Sequence, residues 1–101
     1  IASVNTAFQI TISKNVVTQA HLSAGGVGPI PMYLGKTCDF LMDKVLSPET
    51  VQSANEIIQT EINPISDVRG SADYKRLLLR QLFYAHFITL FPNQFTLDSF
   101  I

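Results

Sequence analysis

The sequence predicts an α+β fold, and three observations predict it. The chain opens on strict two-residue alternation, a second alternating run follows after a short turn, and helical patterns fill the remainder. In residues 4–12, Val4, Thr6, Phe8, Ile10 and Ile12 share one face, and Asn5, Ala7, Gln9 and Thr11 the other. This is the pattern of a half-buried strand. Ser13-Lys14-Asn15 supplies turn chemistry, with asparagine tolerant of the left-handed conformation. Val16, Thr18, Ala20, Leu22 and Ala24 then read as the apolar face of a second strand, antiparallel to the first because the turn is short. Such a hairpin is marginal in water, so a further strand or a helix must cover it.

Gly25-Gly26-Val27-Gly28-Pro29-Ile30-Pro31 breaks the second strand. Its spacing departs from the dinucleotide-binding G-x-G-x-x-G, and its prolines remove N–H groups that a phosphate would need, so it reads as a tight strand-to-helix turn. Leu34, Cys38, Leu41 and Val45 fall on one face of a short first helix. Ser47-Pro48-Glu49 starts a second: an N-cap, a proline at the first helical position and an acid in the first turn. Val51, Ala54, Ile58 and Ile62 face inward along it, and Asn63-Pro64 closes it.

After a loop at Ile65–Gly70 comes the longest element. Ser71 caps it, Asp73 places negative charge at its positive end, and Pro92 stops it. About twenty residues make a rod of roughly 30 Å. Tyr74, Leu77, Leu78, Leu82, Ala85 and Ile88 recur at helical spacing, and Leu79, Phe83, Tyr84, Phe87, Leu90 and Phe91 widen the apolar surface. A helix apolar nearly all round is expected to be buried on more than one side, with Leu78, Leu82 and Phe83 central. Lys75, Arg76, Arg80, Gln81 and His86 interrupt it too often for a membrane span. Residues 92–101 form a tail whose Phe95, Leu97, Phe100 and Ile101 are expected to dock on a surface.

Length and composition bound the function. The 101 residues make a single domain, 1–101. Hydrophobic residues at 47% against 15% charged suggest surface hidden against something else. A net charge of −1 offers no footprint for nucleic acid or an anionic membrane. The lone Cys38 forbids an internal disulfide and suggests a reducing, cytoplasmic compartment. The first residue is Ile1 rather than methionine, and the chain reads as excised from a longer one.

A search for chemistry returns little. His21, His86 and Cys38 fall on three elements without paired metal-ligand spacing. Cys38, on an apolar helix face with no adjacent base, reads as a small buried hydrophobe rather than a nucleophile. His21 belongs to the polar face of its strand, and His86 reads as a hydrogen-bonded subsurface histidine. Asp39 and Asp43, one helical turn apart, read as a solvated face, as do Glu49, Glu56 and Glu61. The densest polar cluster is Ser66-Asp67-Val68-Arg69-Gly70-Ser71-Ala72-Asp73-Tyr74-Lys75-Arg76. There Gly70 frees the backbone, and Asp67 can pair with Arg69 in a reinforced loop-to-helix joint. The functional alternative is a contact surface at which Asp67 and the fork-shaped donor Arg69 reach a neighbouring domain.

Three segments carry a resemblance: Ile1-Ala2-Ser3-Val4-Asn5-Thr6-Ala7, the Gly25–Pro31 run, and Ser66–Arg76. In order and spacing they resemble the C-terminal domain of the FAD-binding flavoprotein of molybdenum hydroxylases, the family of xanthine dehydrogenase and carbon monoxide dehydrogenase. Bacterial xanthine dehydrogenase small subunits look most similar. The resemblance covers about residues 1–91. It implies a two-layer sandwich: a small antiparallel sheet, the hairpin plus room for a further strand, covered by three helices. It also implies a parent enzyme in which a molybdenum cofactor oxidises substrate and iron–sulfur clusters relay electrons to FAD. Most FAD contacts in that family belong to the preceding domain. Ile1, Ala2 and Ser3 match the tail end of the flavin-approaching loop, and are the flavin-adjacent residues the resemblance implies. Lys75-Arg76 departs from the paired arginines frequent in the family.

The function this supports is a non-catalytic structural domain of a xanthine-dehydrogenase-like oxidoreductase. It would close the flavin domain, contact the iron–sulfur and molybdenum subunits, and need no cofactor of its own. The competing reading, independent of the resemblance, is a stand-alone α+β binding module that forms a homodimer through its open sheet edge.

Overall fold

The computed structural model describes residues 4–100. Two long strands, β1 (Asn5–Ser13) and β2 (Val16–Gly25), form the hairpin, and a two-residue β3 (Met32–Tyr33) adds an antiparallel edge in the order β1-β2-β3. Lys14 and Asn15 both adopt positive φ, 51° and 63°. That is the turn whose twist suits a two-residue hairpin. Residues facing away from the helices (Gln19, His21 and Ser23 on β2) are exposed, whereas Ala20, Leu22 and Ala24 are buried. The sheet therefore has one core face, and the domain has two layers as expected.

One correction falls within β2. Thr11 stands opposite Gln19 but Ile12 stands opposite Val17, so Thr18 is an extra residue in the ladder. Its hydroxyl donates to the Thr11 carbonyl at 3.1 Å. A bulge reverses the side-chain parity on one side of itself. Val17, rather than Val16 and Thr18, thus enters the core.

The Gly25–Pro31 run does turn the chain, but delivers β3 before any helix. Val27 is fully buried, and its carbonyl accepts the Asn63 N–H at 2.8 Å. The first helix, α1 (Gly35–Leu41), buries Leu34, Cys38 and Leu41 as the spacing predicts, with Cys38 only 3% exposed. It stops earlier than expected. Asp43 takes φ of 64°, and Val45 lies outside the helix, exposed and bridged to Val16. Asp39 and Asp43 consequently share no helix face.

Helix α1 has no side-chain cap of its own. Its cap comes from Glu61, at the end of α2 (Pro48–Glu61), whose carboxylate accepts from the Lys36 N–H (3.1 Å), the Thr37 N–H (2.7 Å) and the Thr37 hydroxyl (2.6 Å). Glu61 is thus a structural anion at a helix N-terminus, not part of a solvated face. Helix α2 itself follows its sequence signals. Ser47 Oγ accepts the Thr50 N–H, Pro48 occupies the first turn, and Val51, Ala54, Ile58 and Ile62 are buried.

The long helix α3 (Ala72–Leu90) begins at Ser71 and ends before Pro92. Its buried line is Lys75, Leu79, Phe83 and Phe87. Leu78 and Leu82 are only partly covered, and Tyr74, Leu77, Ala85 and Leu90 are exposed. The expectation of a helix buried nearly all round is corrected: one stripe faces the sheet, and much of the opposite face is open. Phe8 of β1 meets this stripe, with ring centroids 6.0 Å from Phe83 and 5.2 Å from Phe87. Edge-to-face pairs Phe83–Phe87 (5.1 Å) and Phe87–Phe95 (5.7 Å) extend the aromatic line into the tail.

That tail docks by Phe95, which is 1% exposed, and by Phe100, stacked on Tyr84 at 4.3 Å. Leu97, in a 3₁₀ turn (Leu97–Phe100), is 78% exposed, contrary to expectation, and Ile101 lies outside the described residues. Among the described residues, no helix is long and apolar enough to cross a membrane.

The stripe sets the stability ranking. Phe83→Ala should destabilise by about 3–5 kcal/mol, and the half-covered Leu78→Ala by less than about 2 kcal/mol. Urea unfolding followed by circular dichroism checks both. Equal losses would place the helix in a different rotation.

Candidate contact surface at the start of the long helix

The Ser66–Arg76 cluster forms a braced corner. Asp67 and Gly70 exchange backbone hydrogen bonds (Asp67 N–H to Gly70 carbonyl 3.0 Å, Gly70 N–H to Asp67 carbonyl 3.1 Å), lifting Val68 and Arg69 to the tip. Gly70 adopts φ of +149°, and a Cβ there would lie 2.9 Å from the Tyr74 ring. Only glycine takes this conformation without strain. Ser71 Oγ accepts the Tyr74 N–H at 3.0 Å, and Ser66 Oγ accepts the Ala72 N–H at 2.9 Å, so two donors of the first turn of α3 are satisfied by side chains.

The brace itself is Lys75, the one residue of the corner that is both charged and buried. Its Nζ donates to the Ile65 carbonyl at 2.6 Å and lies 3.0 Å from Asp67 Oδ1, with the side chain 4% exposed. Asp67 Oδ1 also accepts the Arg69 N–H at 2.9 Å, and the Arg69 guanidinium stands 3.9 Å from Oδ2. The Arg69 backbone N–H first, and the Lys75 ammonium next, hold the Asp67 carboxyl below its ordinary value of 3.8. Asp67 and Arg69 are therefore brought together as the sequence suggests. The sequence reading missed Lys75, although a signal was present: stepping back by fours from Phe87 through Phe83 and Leu79 lands on it.

Apolar side chains surround this corner in the open. Val68 is fully exposed, Ile65 is 60% exposed, and Tyr74 and Leu77 are exposed as well. A patch of this kind beside a rigid polar turn has the composition of a contact surface.

The first two of the sequence segments behind the resemblance meet at one end of the sheet, and the chain leading into the third is bonded to the second. Asn5 pairs with Gly25, and a Cβ on Gly25 would lie 2.9 Å from Asn5 Oδ1. Val27 bonds Asn63, and the four residues from Asn63 to Asp67 span about 14 Å at most. Ile1, Ala2 and Ser3, which precede this end, lie outside the described residues.

The remaining candidates stay apart. His21 is exposed on β2, with Nδ1 2.9 Å from the Tyr33 hydroxyl. His86 Nε2 lies 2.7 Å from Thr6 Oγ1, and burial pushes the imidazole below its ordinary 6.5, as suits a hydrogen-bonded subsurface histidine. Among the described residues, no three His, Cys, Asp or Glu side chains gather where they could hold a metal ion. Among the described residues, a shallow groove of about 330 Å³ runs along α3 and the tail, lined by Arg80, Tyr84, Ile88, Leu97 and Phe100.

Comparison with known proteins is consistent with this geometry. Residues 1–90 match the family described as the CO dehydrogenase flavoprotein C-terminal domain. A xanthine dehydrogenase of Blastobotrys adeninivorans is 33% identical over 82 residues, covering 73% of this chain and 6% of that protein. Among solved structures, carbon monoxide dehydrogenase from Hydrogenophaga pseudoflava superposes with a TM-score of 0.76 at 26% identity, covering 81% of this chain and 29% of that one. Quinoline 2-oxidoreductase from Pseudomonas putida 86 gives 0.71 at 25% identity, covering 79% and 28%. The chain thus spans only a small part of each of these proteins.

Two outcomes test the corner. Gly70→Ala should cost about 1–3 kcal/mol in urea unfolding, and equal stability would show that the glycine is incidental. Because the folded state lowers the Asp67 pKa, the stability this carboxylate contributes is present above pH 3.8 and is lost as pH falls through the lower folded value. The melting temperatures of the wild type and Asp67→Asn should differ at neutral pH and converge in that acid range. A gap that stays constant with pH would mean that the carboxylate charge is not engaged.

Proposed function

The chain belongs to the CO dehydrogenase flavoprotein C-terminal domain family of the molybdenum hydroxylases, and from that premise we propose that it serves as a non-catalytic structural domain of a xanthine-dehydrogenase-like oxidoreductase. On this reading the upstream domain of the intact flavoprotein holds the FAD, which supplies the electron transfer. This chain closes that domain at the end of the sheet where Asn5 and Gly25 pair. Ile1, Ala2 and Ser3 are the residues we assign nearest the flavin. The exposed corner is the surface offered to the iron–sulfur and molybdenum components, in a cytoplasmic enzyme that keeps Cys38 reduced.

The observation that carries the reading is the Lys75 brace. A buried ammonium tied to Asp67 and to the Ile65 carbonyl fixes a loop whose tip residue, Val68, makes no use of that rigidity within the chain. Preorganisation of an exposed loop lowers the ordering cost of binding a partner. The open apolar positions on α3 point the same way, since a surface left uncovered within the domain is available to a neighbour.

The test uses the intact flavoprotein with its partner components. Val68→Asp and Arg69→Glu should weaken co-purification of those components by about tenfold or more. FAD content, read from the flavin absorbance, should remain at the wild-type level. Unchanged assembly in both variants overturns the reading, and loss of FAD with assembly intact would move the corner to the flavin side.

A further inference from the structure

Near the start of β1, Thr6 Oγ1 lies 2.7 Å from His86 Nε2, a bond that joins positions 80 residues apart and ties the outer strand of the sheet to α3. Both side chains are half-buried. The Phe8 ring covers one side of the imidazole, with centroids 5.4 Å apart. Strand β1 has β2 on one side only, so its seat depends on what lies beneath it. On α3 it meets Phe83 and Phe87 through Phe8, and His86 through Thr6.

Among the described residues, no carboxylate faces this imidazole from the elements packed about it. Strand β1 carries no ionisable side chain, and β2 carries only His21, on the face away from the helices. Within two turns of His86 on α3 the ionisable groups are Arg80 and Tyr84, and both line the groove beside the tail. Asp98 belongs to the 3₁₀ turn on that same side, where Phe100 stacks on Tyr84. A proton added to His86 would therefore make a half-buried imidazolium with a neutral hydroxyl as its partner and no carboxylate to offset the lost hydration.

We propose that the Thr6–His86 contact is a pH-operated latch, which seats the start of β1 on α3 while the imidazole is neutral and loosens it when the imidazole takes up a proton. The device is independent of the contact role assigned above. Its sign follows from linkage. Burial holds the docked imidazole below its ordinary 6.5, so the detached one binds a proton more readily. The contribution of the latch is complete above 6.5 and is lost as pH falls from there through the lower docked value. The Asp67 carboxyl titrates below 3.8 and does not enter this range.

The ladder supplies local reporters. The Leu34 N–H donates to the Leu22 carbonyl, so Leu22 faces β3, and its neighbours His21 and Ser23 face β1. Their partners Gln9 and Ala7 thus report on the seating of β1. In the 101-residue chain, the protection of these two amides against hydrogen exchange, corrected for the intrinsic effect of pH, should fall several-fold between about pH 8 and about pH 5. The Phe83 amide, in the middle of α3, should keep its value. Proton resonances of the imidazole should give His86 a midpoint below 6.5. His86→Gln should level the pH dependence at Ala7 and Gln9 while circular dichroism shows its helix content kept. His21→Gln, which alters the other of the two histidines, should leave that dependence in place. A His86 midpoint at or above 6.5, pH-independent protection of β1, an equal loss at Phe83, or a loss that persists in His86→Gln would each overturn the latch. Should His86→Gln fail to fold, the wild-type titration and exchange profile decide the matter by themselves.

Discussion

Seating Leu79, Phe83 and Phe87 on one face of a three-stranded sheet is the constraint to which the rest of the domain answers. So small a sheet cannot hold itself together in water, and its third strand is two residues long. Phe8 supplies the contact from the sheet side, and the edge-to-face rings fix the rotation of α3 about its axis. Burial of each such side chain contributes roughly 1.5–3 kcal/mol. With the helix rotation fixed, Lys75 must point inward, since it lies on the same line. The Asp67 carboxylate and the Ile65 carbonyl are the answer to that burial, for a buried ammonium without partners would be costly.

What could be read from the sequence was what local chemistry decides. The turn at Lys14-Asn15, the caps at Ser47 and Ser71, the stop before Pro92 and the special backbone at Gly70 each depend on residues a few positions apart, and each is where the pattern puts it. The misses are tertiary. Nothing near Thr18 announces a bulge, which is fixed by how Val17 bonds the chain after α1. The cap of α1 comes from a glutamate 24 residues downstream of Thr37. The rotation of α3 was misread because apolar residues occupy several of its faces, so periodicity alone could not choose between Leu78 and Leu79. The open apolar face follows from that rotation, since only one of those faces can meet the sheet.

The candidate surface was legible in part. Asp67 and Arg69 could be singled out because charge, glycine and cap residues crowd together there. Their role as the outer half of a brace could not, because the inner half is a lysine on a stripe read as apolar. The pairing of Asn5 with Gly25 and the bond from Asn63 to Val27 likewise depend on contacts between distant segments. Asn5, Gly25 and Val27 lie in segments through which the chain resembles its family.

The Glu61 carboxylate has a kinetic consequence. Seven residues are too few to nucleate a helix unaided, and α1 has no starting group of its own. It can therefore form only once the end of α2 has arrived beside it, which makes α1 a late event in folding and ties its opening to that of α2. The amide protons of Lys36 and Thr37 should then exchange with solvent through the same excursion that frays Glu61, so that two helices breathe as one unit.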